Sequence, residues 1–216
     1  MELSATEVRI LGALVEKQKT TPDVYPLSLN ALTNACNQTS NRDPVMELSE
    51  DAVKWAVNNL RQQSLVRAIQ PADSRVMKFQ QLLVDKLYIE DAELAVLCVL
   101  MLRGPQTIGE IKSRTGRLHE FGALSEVEAA LRALAQQSLA AELPRRAGQK
   151  EVRYAHLLSP LADQTTAEPI QPVVVVREVP DAADDRIHAL ETTVEQLRTE
   201  IATLQSRFED FMRQFG

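Results

Sequence analysis

Apolar positions recur every three or four residues from the start of the chain. Val8, Leu11, Leu14 and Val15 share one helical face, and Ser4 followed by Glu7 forms a capping box. Thr20-Thr21-Pro22 ends this helix near Lys19. A second helix follows Pro26, with Ser28 as cap and Leu29, Leu32 and Cys36 facing inward. After the polar stretch 37–44, Ser49 opens a third helix carrying Val53, Val57 and Leu60. Residues 65–69 and 76–80 then read as two short strands joined by turn residues. Three helices and a hairpin are the order of a winged helix. The first two helices brace the third, and the hairpin forms the wing.

The pattern then returns. Residues 92–100 match 6–14 at an offset of 86, with Leu94, Leu97 and Leu100 in place of Val8, Leu11 and Leu14. Thr107-Ile108 and Ile111 match Ser28-Leu29 and Leu32 at 79, and Gln136-Gln-Ser-Leu139 matches Gln62-Gln-Ser-Leu65 at 74. The shrinking offset means shorter loops in the second copy, whose wing strands fall at 139–143 and 151–157. Three matches in order, each on an inner helix face, predict an internal duplication.

The pattern changes beyond residue 158. The segment 159–183 carries four prolines and a run of valines bracketed by prolines, which reads as a linker. Ile187, Leu190, Val194, Leu197, Ile201, Leu204, Phe208 and Phe211 follow at alternating spacings of three and four. That is a heptad seam, and β-branched a positions with Leu at d favour a parallel two-stranded coil. The expected fold is therefore mainly α with small β-hairpins. It comprises two tandem winged-helix domains at 1–86 and 87–158, the linker 159–183, and a coiled-coil helix at 184–214 that makes the chain a homodimer.

Charge placement tempers the functional reading. The net charge is −6, but residues 1–86 hold ten basic and ten acidic side chains and residues 87–158 hold nine of each. The whole excess lies in the tail, with five basic and eleven acidic residues. A strongly nucleic-acid-binding domain is usually basic overall. Two cysteines, Cys36 and Cys98, cannot build a disulfide framework or a four-cysteine zinc site. Seven glycines are few for phosphate loops. The opening MELSATEVRI has no basic stretch before an apolar core, and no apolar run reaches the ~20 residues of a bilayer span. A cytoplasmic protein without membrane association is expected.

Candidate chemistry follows from these elements. His119, His156 and His188 fall in a loop, a wing strand and the coiled coil, and no phosphate loop, His-Glu-x-x-His helix or Cys-x-x-Cys pair is present. The expectation is a protein that is not an enzyme and needs neither metal nor cofactor. The third helix of a winged helix usually enters the major groove. Lys54, Asn58, Arg61 and Gln62 lie on its outer face, where Arg can read guanine and Asn or Gln adenine. Glu50 and Asp51 at its start suit the helix dipole but repel phosphate. The second unit's third helix is poor in donors, whereas Arg145, Arg146, Lys150 and Arg153 crowd its wing tip near Lys112, Arg114 and Arg117. In the polar stretch 37–43, Arg42 is a further phosphate candidate beside Asp43, and the loop can equally cap the third helix. A second function class is a protein-binding scaffold, in which Trp55, Tyr25 and Phe121 matter if exposed. Trp55 is expected to pack between the third helix and the wing.

Residues 3–17, 21–30 and 36–46 resemble the opening of the YceH-like bacterial proteins. Leu102-Arg-Gly-Pro-Gln-Thr107, Arg114–Arg117 with His119-Glu-Phe121, and Arg153-Tyr-Ala-His156 resemble the same family. The likeness covers about residues 1–158 and implies two tandem winged helices. It is a family of unknown function, so it implies no catalytic or ligand residues. The expected role is a non-enzymatic DNA-binding protein of regulatory or nucleoid-associated type, acting as a dimer. The alternative is a protein–protein scaffold with no DNA contact.

Overall fold

The computed structural model describes residues 2–71, 75–145 and 151–160. Two helices apolar nearly all round lie at its centre. The first, α1 (Ala5–Thr20), is capped as its sequence predicts: Ser4 Oγ accepts from the Glu7 N–H at 3.3 Å, and Glu7 Oε2 accepts from the Ser4 N–H at 2.8 Å. Every residue from Glu7 to Glu16 is buried. The other, α5 (Asp91–Arg103), is buried continuously from Leu94 to Leu102. A helix without a polar face must be covered on all sides, and these two cover each other in part by packing together. They approach closely at Gly12, where the Cys98 thiol donates to the Gly12 carbonyl at 3.4 Å.

Around α1 stand α2 (Leu29–Cys36), α3 (Glu50–Gln62) and a sheet of β1 (Leu27–Ser28), β2 (Val66–Ile69) and β3 (Lys78–Gln81) in the order β1-β3-β2. After the short α4 (Leu83–Leu87), α5 is attended by α6 (Ile108–Thr115), α7 (Leu124–Gln136) and the hairpin of β4 (Ala140–Glu142) and β5 (Tyr154–His156). Gln106 bridges Tyr154 as β1 flanks β3, so both sheets place their last strand in the middle. The architecture is mainly α with small antiparallel sheets, compatible with a winged-helix fold. The order helix, helix, helix, hairpin runs twice along the chain.

Local geometry repeats where the sequence repeats. Ser28 caps α2 and Thr107 caps α6, each accepting from the N–H three residues on. Both Gln-Gln-Ser-Leu stretches end a helix with serine in the left-handed region, Ser64 at φ 58° and Ser138 at φ 57°. The next N–H then bonds five residues back, Leu65 to Leu60 at 2.9 Å and Leu139 to Leu134 at 2.8 Å. This is the Schellman closure of a helix C-terminus, with serine where glycine is usual.

The buried apolar side chains form one continuous cluster across both helix sets, and all described residues fall in one compact unit. Beyond Pro160, the linker and the C-terminal helix with its heptad positions lie outside the described residues. No helix among the described residues is long and apolar enough to cross a membrane.

Candidate nucleic-acid interface

On α3, Val53, Ala56, Val57 and Leu60 are buried, and burying them turns the opposite face outward. Lys54, Asn58, Arg61 and Gln62 are all exposed there. Arg61 Nη1 donates to Asn58 Oδ1 at 3.1 Å, which holds the two side chains together one turn apart. The helix packs on β2, whose Arg67 is exposed, and Lys78 on β3 is half-buried. Among the described residues, Lys54, Arg61, Arg67 and Lys78 form no ion pair. Their charge is therefore available to an external anion.

Trp55 corrects the sequence reading. It does not pack under the wing but stands 66% exposed on the same face of α3. The signal was present in the helical wheel: Trp55 follows Val53 by two positions, about 200° around the helix. Residue type suggested burial, and position decided against it.

The second basic cluster is largely committed within the fold. Arg153 Nη1 lies 3.1 Å from Glu110 Oε2 and donates to the Pro105 carbonyl at 2.8 Å. Arg114 shares the same carboxylate at 3.6 Å, and Lys112 Nζ donates to the Gly122 carbonyl at 2.8 Å. Arg117 and Arg145 are exposed, while Arg146 and Lys150 lie outside the described residues. On α7 the solvent face carries Glu126 and Glu128 beside Leu124, which is 50% exposed. Arg132 is exposed on α7 as well, and Glu50 and Asp51 are exposed at the start of α3.

Arg42 is a correction of a different kind. Its side chain is fully buried, so it is not a surface phosphate contact, and its ion partner is Glu16 rather than the adjacent Asp43. The guanidinium fork grips both carboxylate oxygens, at 2.7 and 3.2 Å, and Nη2 also donates to the Ala35 carbonyl at 2.8 Å. Burial works against ionisation of Glu16, but the Arg42 hydrogen bonds and charge outweigh it and hold the carboxyl below its ordinary range. Arg9, also buried, donates to the Cys36 and Pro44 carbonyls. Asn37 closes the loop by exchanging two 2.8 Å hydrogen bonds with the Leu48 backbone. The Asp43 N–H reaches the Leu102 carbonyl at 2.9 Å, and Arg103 donates to Asn41. The polar loop 37–48 is thus an internal fastening between α1, α2 and the end of α5. Asn37 and Arg42 are spent inside the molecule, while Thr39, Ser40, Asp43 and Glu47 stay exposed.

Other reactive groups are held inert. His119 meets Phe121 edge-on, with ring centroids 4.6 Å apart. Burial pushes the Cys36 thiol up to about 12 and also raises Cys98. No group of three or more metal-ligating side chains exists among the described residues. His188 lies outside them.

His156, 3% exposed, is held down to about 4 by burial. Because the unfolded histidine titrates near 6.5, the unfolded chain binds the proton first on acidification. Stability contributed by the neutral ring is complete above pH ~6.5 and is lost as pH falls towards ~4, by about 3 kcal/mol in all. Urea denaturation of the full chain between pH 7 and 4 should show this loss, and His156→Gln should flatten it. An equally steep profile in the variant would refute the assignment.

Residues 3–149 match the family described as protein of unknown function, DUF480. The chain is 47% identical over 214 residues to a UPF0502 protein of Solibacter usitatus, covering 99% of this chain and 98% of that one. It is likewise 47% identical over 218 residues to a UPF0502 protein of Pelobacter propionicus, covering 100% and 99%. A UPF0502 protein of Citrifermentans bemidjiense is 54% identical over 161 residues, covering 73% of this chain and 74% of that one. Among solved structures, ScpB from Mycobacterium tuberculosis covers 72% of this chain and 93% of its own at 20% identity, with a TM-score of 0.25. That likeness is too slight to bear on function. Sequence similarity across nearly the whole chain is decisive by itself: the protein belongs to the DUF480 family, to which the bacterial UPF0502 proteins are its relatives.

Proposed function

We propose that this protein is a non-enzymatic DNA-binding protein built as tandem winged helices, contacting DNA through α3 and the adjoining β2–β3 wing. The observation that carries this reading is the set of cations without an ion pair among the described residues: exposed Lys54 and Arg61 on α3, interleaved with Asn58 and Gln62, and Arg67 and half-buried Lys78 on the adjoining strands. Hydrogen-bonding side chains suit base edges, and cations suit phosphates. The tandem arrangement is supported by a symmetry relation. Gly12 and Cys98 are the positions paired by the 86-residue offset, and they are the residues that meet between α1 and α5. Two equivalent helices crossing at equivalent positions is what a two-fold relation demands. The heptad at 187–211 holds two such chains together, and sedimentation of the full chain at the monomer mass would refute that part.

A gel shift of the full chain with random duplex across a salt series tests the reading. With four phosphates met, log K falls against log salt with a slope of about −3.6, at ~0.9 per phosphate. Lys54→Glu with Arg61→Glu should flatten the slope by about 1.8 and weaken binding to every sequence. Absence of a shift at low salt with duplex and with single strand alike, the protein being folded, removes the hypothesis. A second reading, a protein-binding scaffold, is favoured by the α7 face, where exposed Leu124 lies beside Glu126 and Glu128. It requires the DNA result to be negative while Leu124→Asp leaves the fold intact and abolishes partner binding.

A further inference from the structure

We infer that the α3 face takes single-stranded nucleic acid in preference to duplex, with Trp55 as the platform on which an unpaired base stacks. This rests on the DNA-binding reading and concerns the same surface. Trp55 is 66% exposed, although burial of so large a ring would be favourable. Its neighbours one turn away are exposed Asp51, Ala52 and Asn58 and half-buried Asn59, with Lys54 next in sequence. Lys54 and Arg61 each stand a turn from Asn58, so ring and cations fall within about 5–6 Å steps of one another. A protein hot spot needs a ring of further contacts that excludes water. Here the exposed indole is flanked along the helix by Ala52 and otherwise by polar side chains. Such a ring beside unpaired cations complements a ligand that alternates flat faces with negative charges.

Duplex DNA satisfies only half of that description. Its phosphates can meet Lys54 and Arg61, but its base faces are covered by their neighbours, and indole has a single N–H with which to read an edge. An unpaired strand offers its base faces directly, and stacking on aromatic side chains tolerates any sequence. Asp51, one turn N-terminal to both Lys54 and Trp55, repels phosphate and so favours a strand whose backbone runs towards Arg61.

Trp55 is the chain's single tryptophan, so its emission reports on this site alone. The full chain is titrated at low salt with oligothymidylate and with random duplex of equal length. The expected result is saturable quenching by the single strand and tighter binding of it than of duplex. Followed by gel shift, since the variant has no tryptophan to emit, Trp55→Ala should weaken single-strand binding about 5–150-fold, the ~1–3 kcal/mol of base–aromatic stacking at 1.4 kcal/mol per tenfold. Duplex affinity should fall by much less than single-strand affinity, and Trp55→Phe should recover most of the loss. Duplex bound as tightly as single strand, with Trp55→Ala without effect, overturns this inference and leaves the DNA-binding reading standing. Binding of neither polymer overturns both, and leaves the exposed indole to a protein partner.

Discussion

Arg42→Ala should destabilise the fold by about 3–5 kcal/mol, the usual consequence of leaving one member of a buried ion pair without the other. The Arg42 side chain is fully buried and that of Glu16 is 11% exposed. Truncation strands the Glu16 carboxylate with only Lys17, at 3.5 Å, to offset it. It also removes the donors to the Ala35 carbonyl and the Gln38 side chain. The magnitude is large because the lost partner cannot be replaced by water without opening the loop, and that loop is fastened to Leu102 at the end of α5. Urea denaturation should show a lower midpoint at an unchanged slope. Replacing both residues with methionine should recover much of the loss, since an apolar pair leaves no buried charge unpaired. A loss below about 1 kcal/mol for Arg42→Ala would mean that the pair contributes no more than a surface salt bridge.

The second large effect is at Gly12, and there the sign of the change is the test. In an exposed helix interior, Gly→Ala stabilises by about 1 kcal/mol. At position 12 an added Cβ would lie 2.8 Å from Leu102 Cδ2, 2.9 Å from its Cγ and 3.2 Å from Met101 Cβ. Leu102 is only 3% exposed and has no room to withdraw. Overpacking of about 1–3 kcal/mol then outweighs the helix-propensity gain, so Gly12→Ala should be net destabilising and Gly12→Val more so. Gly12→Ala combined with Leu102→Ala should lose less than the sum of the two single changes, because the clash is shared between them. A Gly12→Ala variant more stable than the parent would show that α1 and α5 can part at little cost.

Much of this architecture was legible in the chain because it is written locally. Ser4 with Glu7, Ser28, Ser49 and Thr107 announce helix starts through bonds that span three residues. The inner faces of α2, α3, α6 and α7 follow from a 3.6-residue period that needs no knowledge of what they face. The observed strands 66–69 and 78–81 lie within two residues of those expected from composition. Three short elements escaped notice, the first a single 3-10 turn at Pro22–Val24. The two-residue β1 and five-residue α4 are too brief to carry a period.

The candidate surface was legible only in part. Lys54, Asn58, Arg61 and Gln62 follow from the outer side of an amphipathic helix, and all four are exposed. Arg42 and Arg153 look the same in a linear count of charge, yet each meets a carboxylate that distance along the chain conceals, whereas the Arg114 partner, Glu110, lies one helical turn away. Arg42 and Glu16 are 26 residues apart, and Arg153 is held to the Pro105 carbonyl 48 residues away.

The chain by itself determined where most helices begin and which side of the amphipathic ones turns inward. These depend on interactions within a few residues, where spacing along the sequence is spacing in space. Only the tertiary structure decided which cations are spent in the interior, that Trp55 stands in solvent, and that α1 and α5 meet at Gly12 and Cys98. Burial and charge pairing are properties of contacts between distant segments, and a side chain's partner is set by the packing that brings those segments together.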